Sequence, residues 1–118
     1  MRCMTATDTG HRAEDAAAGY LAQHGFTIVA RNFRTPQCEV DIIVKKGSCL
    51  YFVEVKYRAS TRQGGGLEYI TAAKRRQMQY AANTWLMTRD WTGEIALAGL
   101  EVSGADFAVT AFVDAIDA

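Results

Sequence analysis

The stretch that decides the fold is Cys38-Glu39-Val40-Asp41-Ile42-Ile43-Val44-Lys45-Lys46-Gly47-Ser48-Cys49-Leu50-Tyr51-Phe52-Val53-Glu54-Val55-Lys56-Tyr57-Arg58. Two runs rich in Val, Ile, Phe and Tyr flank Lys46-Gly47-Ser48, a turn sequence, so the segment predicts an antiparallel pair of strands. Strand side chains alternate between faces. Glu39 and Asp41 therefore share one face of the first run, and Glu54 and Lys56 share one face of the second. Pairing across the turn can bring Asp41 beside Glu54 and Lys56. Two carboxylates and an ammonium on otherwise apolar strands are costly to bury without partners. A metal ion is one group that offsets the cost, and a surface salt bridge involving Lys56 is the plainer alternative.

Working outward, a strand is expected upstream over 26–33, before the break at Thr35-Pro36, giving three strands in a meander over 26–33, 39–45 and 50–58. Before them, Thr9 can cap a helix over 10–24 with Ala13, Ala16, Ala17, Tyr20 and Leu21 on one face, closed by a left-handed Gly25. Residues 1–9 are expected to be a flexible terminus and 10–118 one domain, the usual size for a single core. After the glycine-rich stretch 59–66, Thr71 caps a second helix to Met87, with Ala73, Gln77, Tyr80, Ala81, Trp85 and Leu86 as its inner stripe. Strands over 94–102 and 107–113 complete the order αβββαββ. A helix between the third and fourth strands can carry the chain to a parallel neighbour, so the fold class is α/β with a mixed central sheet flanked by helices.

The 13 basic and 13 acidic residues cancel. Their distribution does not. Residues 31–76 hold ten basic and four acidic residues, a surplus of six positive charges that the rest of the chain balances. Such asymmetry can focus a positive potential on one face, the footprint expected for nucleic acid. Arg34, Arg58, Arg62, Lys74, Arg75 and Arg76 are the candidate phosphate contacts, and a scatter of solvated charges is the alternative. Basic residues at a helix start, as in Lys74-Arg75-Arg76, oppose the helix dipole and so suggest a binding purpose. Cys3, Cys38 and Cys49 form no metal or redox spacing and read as free thiols. His11 and His24 lack a partner histidine at ligand spacing. No apolar run reaches the roughly 20 residues of a membrane span, and the first ten residues lack an apolar export core. A cytoplasmic protein without membrane contact is expected.

Several motifs in order resemble the YraN-like family of predicted endonucleases. They are Gly10-His11-Arg12-Ala13-Glu14-Asp15-Ala16-Ala17, Gly25-Phe26, Ala30-Arg31-Asn32-Phe33-Arg34, Glu39-Val40-Asp41-Ile42-Ile43, Phe52-Val53-Glu54-Val55-Lys56-Tyr57-Arg58 and Ile70-Thr71-Ala72-Ala73-Lys74-Arg75-Arg76. The resemblance implies a restriction-endonuclease-like fold of the PD-(D/E)xK superfamily and kinship with archaeal Holliday junction resolvases. It makes Asp41, Glu54 and Lys56 the catalytic triad and adds Glu14. It implies Mg²⁺ or Mn²⁺ held by Asp41, Glu54 and Glu14, hydrolysis of phosphodiester bonds in DNA, branched DNA included, and a homodimer. Where the family pattern has glycine, this chain has Cys38, which sets a side chain beside the expected site. The Arg-x-Asp often found at the fourth strand is replaced by Gly93-Glu94-Ile95-Ala96. Two further readings follow from these departures and from the salt-bridge alternative: a nucleic-acid-binding module of the same fold without turnover, and a structural or protein-interaction domain.

Overall fold

A computed structural model of the chain describes residues 6–59 and 70–114. In chain order the elements are α1 (Ala6–Gln23), β1 (Thr27–Arg34), β2 (Glu39–Lys46), β3 (Cys49–Arg58), α2 (Ala72–Met87), β4 (Glu94–Ser103) and β5 (Ala108–Val113). The expected order of elements is found. The five strands form one open sheet in the order β1-β2-β3-β4-β5. Only β3 and β4 are parallel; the other neighbours are antiparallel. A parallel neighbour requires a crossover, and α2 supplies it. The protein is thus a mixed α/β fold with a helix on each face of the sheet.

Each helix seals its own half of the core. On one face Ala13, Ala17 and Leu21 of α1 pack on Ile42, Val44, Val53, Leu100 and Val102. On the other, Met78, Ala81, Ala82 and Trp85 of α2 pack on Val40, Ile43, Leu50, Phe52 and Leu97, with Cys38 among them. The α1 stripe agrees with its sequence periodicity, and Gly25 closes the helix at φ 89°. Two expectations change. The helix spans Ala6–Gln23, so Thr9 lies inside it rather than at its cap; Asp8 in the first turn suits the dipole there. On α2 the buried residues are Met78, Ala81, Ala82 and Trp85, while Tyr80 is 47% exposed. Apolar residues occur around this helix, so docking on the sheet selects the stripe, and a tyrosine tolerates the wet side because its hydroxyl can stay hydrated.

Alternation breaks on β2. Val40 and Ile42 are two residues apart yet belong to opposite faces. Across from the break, Asn32 adopts φ 56°, where asparagine is among the few side chains tolerated. Asp41 lies at this irregularity.

Candidate metal centre in a strand fork

The β2–β3 ladder runs from Lys46 opposite Cys49 to Ile42 opposite Val53. Asp41 and Glu54 would be the next pair. Instead β2 continues beside β1 to Glu39, and β3 continues beside β4 to Arg58, so the strands part where the carboxylates begin. The amide of Val55, released from the ladder, donates to Asp41 Oδ2 at 2.7 Å. A side chain thus satisfies a backbone donor that the fork would orphan.

From the α1 side, Glu14 reaches the same place. Oxygens of Glu14, Glu39 and Asp41 lie within 4.8 Å of one another. In the amide orientation that the flanking carboxylates require, the Asn32 nitrogen donates to Glu14 Oε1 and Glu39 Oε1, each at 3.1 Å. Arg31 stands 3.8 Å from Glu14 and 2.9 Å from Asp15, and Arg34 pairs with Glu39 at 2.9 Å. From the α2 side, Lys74 Nζ contacts Glu54 Oε1 at 3.2 Å. Thr71 Oγ1 caps α2 by accepting from the Lys74 amide at 3.1 Å, which fixes the residue whose ammonium enters the fork. The other oxygen, Glu54 Oε2, is buried and has no hydrogen-bond partner among the described residues.

Electrostatics reflect this crowding. Burial, and then the neighbouring Glu54, push the Asp41 carboxyl up to about 7. Burial raises Glu54, opposed by the charge and hydrogen bond of Lys74. Burial likewise raises Glu14, opposed by Arg31. Such shifts arise where like charges share a site short of cations. Replacing Lys74 by methionine leaves Glu54 with neither oxygen hydrogen-bonded among the described residues. We expect about 2 kcal/mol of lost stability at pH 8 and a smaller loss as the pH falls and Glu54 takes up a proton; urea melts at pH 8 and in acid check this.

The structure thus brings Glu14, Glu39 and Asp41 to ligand spacing, with Glu54 outside that group but within electrostatic reach of Asp41. Lys56 follows Glu54 by two residues on the same side of β3, exposed and within electrostatic reach of Glu54. Glu39, whose shared face with Asp41 is legible in the Glu-x-Asp spacing, joins the group as well. Asn32 carries no signal in composition or periodicity. The candidate phosphate contacts divide. Arg34 is exposed; Lys74 is engaged by Glu54; Arg75 and Arg76 flank a recess described below. Arg58 turns inward to Glu101 of β4, with Nε 2.6 Å from Oε2 and side chains only 17% and 4% exposed. Arg62 lies outside the described residues. Cys38 is 9% exposed on the α2 side of the core, where burial raises its thiol and Lys74, Glu54, Asp41 and Glu39 all act on it, so its side chain stands within electrostatic reach of the fork.

The sequence model of the uncharacterised protein family UPF0102 matches residues 13–111. The chain belongs to this family. A UPF0102 protein of Desulforapulum autotrophicum is 45% identical over 80 residues, 68% of this chain and 66% of that protein. One of Cytophaga hutchinsonii is 32% identical over 100 residues, 85% of this chain and 88% of the other. One of Shewanella baltica is 46% identical over 77 residues, 65% of this chain and 71% of its own length. The UPF0102 match covers every element that supplies the fork, from Glu14 on α1 to Lys74 on α2. Among the described residues no helix is long and apolar enough to cross a membrane.

Proposed function

We propose that this UPF0102 protein is a divalent-metal-dependent endonuclease of the restriction-endonuclease-like fold, hydrolysing phosphodiester bonds in DNA, branched DNA included. The observation that carries the reading is Glu54 Oε2, a buried carboxylate oxygen without a hydrogen-bond partner among the described residues, beside an Asp41 whose carboxyl is pushed to about 7. Native proteins rarely leave such an atom unsatisfied unless a water, an ion or a catalytic role accounts for it. The donors are hard oxygens, suited to Mg²⁺ or Mn²⁺, which take a few carboxylates and keep waters and phosphate oxygens as further ligands.

Asp41 and Glu54 would hold the metal, with Glu14 and Glu39 adding oxygens from the α1 side. The ion supplies a bound water of lowered pKa and positive charge near the scissile phosphate. The protein's own groups do the rest. The Val55 amide and the Lys74 ammonium each engage one oxygen of a ligand carboxylate, fixing its aim. Lys56 orients the attacking water and offsets charge growing on the phosphate oxygens. Cutting both sides of a branched junction needs two such centres, so a homodimer belongs to this reading.

Calorimetric titration with Mn²⁺ tests the centre. Ligand carboxylates must lose their protons. At about pH 6, below the Asp41 value, each Mn²⁺ bound is expected to release about one proton. Repeating the titration in buffers of different ionisation enthalpy measures this, and the release should vanish near pH 9. Equally weak Mn²⁺ binding by wild type and Asp41→Ala would end the metal reading. Labelled linear, flapped and four-way DNA with Mn²⁺ then tests cleavage; metal and DNA binding without any cut would favour the binding module.

A further inference from the structure

Beside the fork, on the α2 side of the sheet, lies a recess of about 200 Å³ lined by Ala72, Arg75, Arg76, Gln79 and Leu97. Its place in the fold is fixed by two registers. Leu97 is opposite Phe52 in the parallel β3–β4 pair, and Glu54 is two residues further along β3. At roughly 3.3 Å per residue the floor of the recess is about 7 Å along the strand from the level of the candidate centre. Lys74, whose ammonium holds Glu54, immediately precedes Arg75 on α2.

The lining has two characters. Ala72 and Leu97 are apolar, Gln79 carries an amide, and Arg75 and Arg76 carry guanidinium groups; among the described residues that line it there is no carboxylate. Guanidinium planes stack on rings and bind phosphate oxygens. A phosphate alone needs no apolar floor, and an apolar side chain needs no arginines. A planar ring system carried on a phosphodiester satisfies both. The volume falls below the roughly 300–1,000 Å³ of sites that enclose drug-sized ligands, so one ring system fits rather than several. A base still paired and stacked in a duplex cannot enter such a recess, whereas an unstacked base can.

We propose that this recess receives one unpaired nucleotide of a DNA single strand, next to the phosphate presented to the fork. The proposal rests on the nuclease reading for its choice of polymer, and it names the substrate class as DNA with single-stranded character at the cut.

The test is binding without turnover, in EDTA, by fluorescence anisotropy with a short oligothymidine and a blunt duplex of equal length. Wild type is expected to prefer the single strand. Arg76→Ala should weaken single-strand binding about tenfold and duplex binding about twofold. Lys45→Ala, which removes a charge at the far end of β2, should weaken both by about twofold. Ala72→Trp fills the recess while leaving every charge in place, and should abolish the preference with the far-ultraviolet circular dichroism unchanged. Equal or tighter duplex binding by wild type, or equal losses for both ligands in Arg76→Ala, would overturn the proposal. The two readings fail separately. Asp41→Ala should keep the strand preference while losing Mn²⁺ binding. Intact Mn²⁺ binding without strand preference refutes the recess alone.

Discussion

Asp41→Asn is expected to make the metal-free protein more stable at pH 8 while lowering the proposed nuclease activity by about a thousandfold or more. The two effects have one origin. Asparagine keeps an oxygen to accept the Val55 amide, so the fork retains its hydrogen bond at 2.7 Å. It removes a charge that burial and Glu54 make costly. The sign follows from proton binding. The folded carboxyl holds its proton up to about pH 7, whereas the unfolded one loses it near 3.8. Across that window the native state binds the extra proton, so wild-type stability falls as pH rises and levels off above the folded value. The asparagine variant does not titrate there. Its advantage is therefore absent near pH 4, grows through the window, and reaches about 2–3 kcal/mol at pH 8. Chemical denaturation in EDTA at both pH values measures it. A variant less stable than wild type at pH 8 would show that Asp41 already has its counter-charge without metal. Excess Mg²⁺ should reverse the ranking, because the ion stabilises only the chain that binds it.

The second large effect lies away from the fork. Glu101 is 3% exposed on β4. One oxygen meets Arg58 Nε at 2.6 Å, and the other accepts from Thr110 Oγ1 of β5 at 2.8 Å. Ser103 Oγ bonds Thr110 Oγ1 at 3.0 Å. Arg58→Ala leaves a buried carboxylate with one hydroxyl partner and no paired cation among the described residues, and is expected to cost about 3–5 kcal/mol. Arg58→Ala with Glu101→Leu removes both charges and should recover most of that loss. A double-mutant cycle by urea denaturation checks both values. If Arg58→Ala costs under about 1 kcal/mol and instead weakens DNA binding, the arginine serves the ligand rather than the fold.

Arg58 also shows where sequence reading stops. In the chain it follows Lys56 and precedes a glycine-rich stretch, and its charge fits a phosphate contact. Its partner is 43 residues away, and no local pattern announces a contact between β3 and β4. The strands and their order were legible because alternation, Gly47 and Pro36 act over a few residues. Asp41 and Glu54 were legible as neighbours because one short turn sets their register. Glu14 entered through family likeness, since a glutamate on a helix reads equally well as a charge favouring the dipole. The departure at Asp41 escaped sequence reading, because alternation assumes a regular ladder and the ladder ends there. Lys74 read as one of three surface cations, yet its ammonium neutralises Glu54. The α2 stripe was legible at Ala81, Trp85 and Leu86 and misplaced at Ala73, Gln77 and Tyr80, because those three follow helical spacing as faithfully as Met78 and Ala82 do.

The parallel pair of β3 and β4 carries a consequence for the order in which the protein matures during synthesis. Every residue assigned to the fork has been made once the chain reaches Lys74. Yet β3 pairs with β4 from Cys49 opposite Glu94 to Arg58 opposite Ser103. Until those later residues leave the ribosome, the strand bearing Glu54 and Lys56 has β2 beside its first half and no partner on the β4 side, and α2 has no Leu97 to pack on. A nascent chain therefore holds its full set of acidic and basic groups for some time without the rigid frame that aims them. Competence arrives with the last third of the molecule.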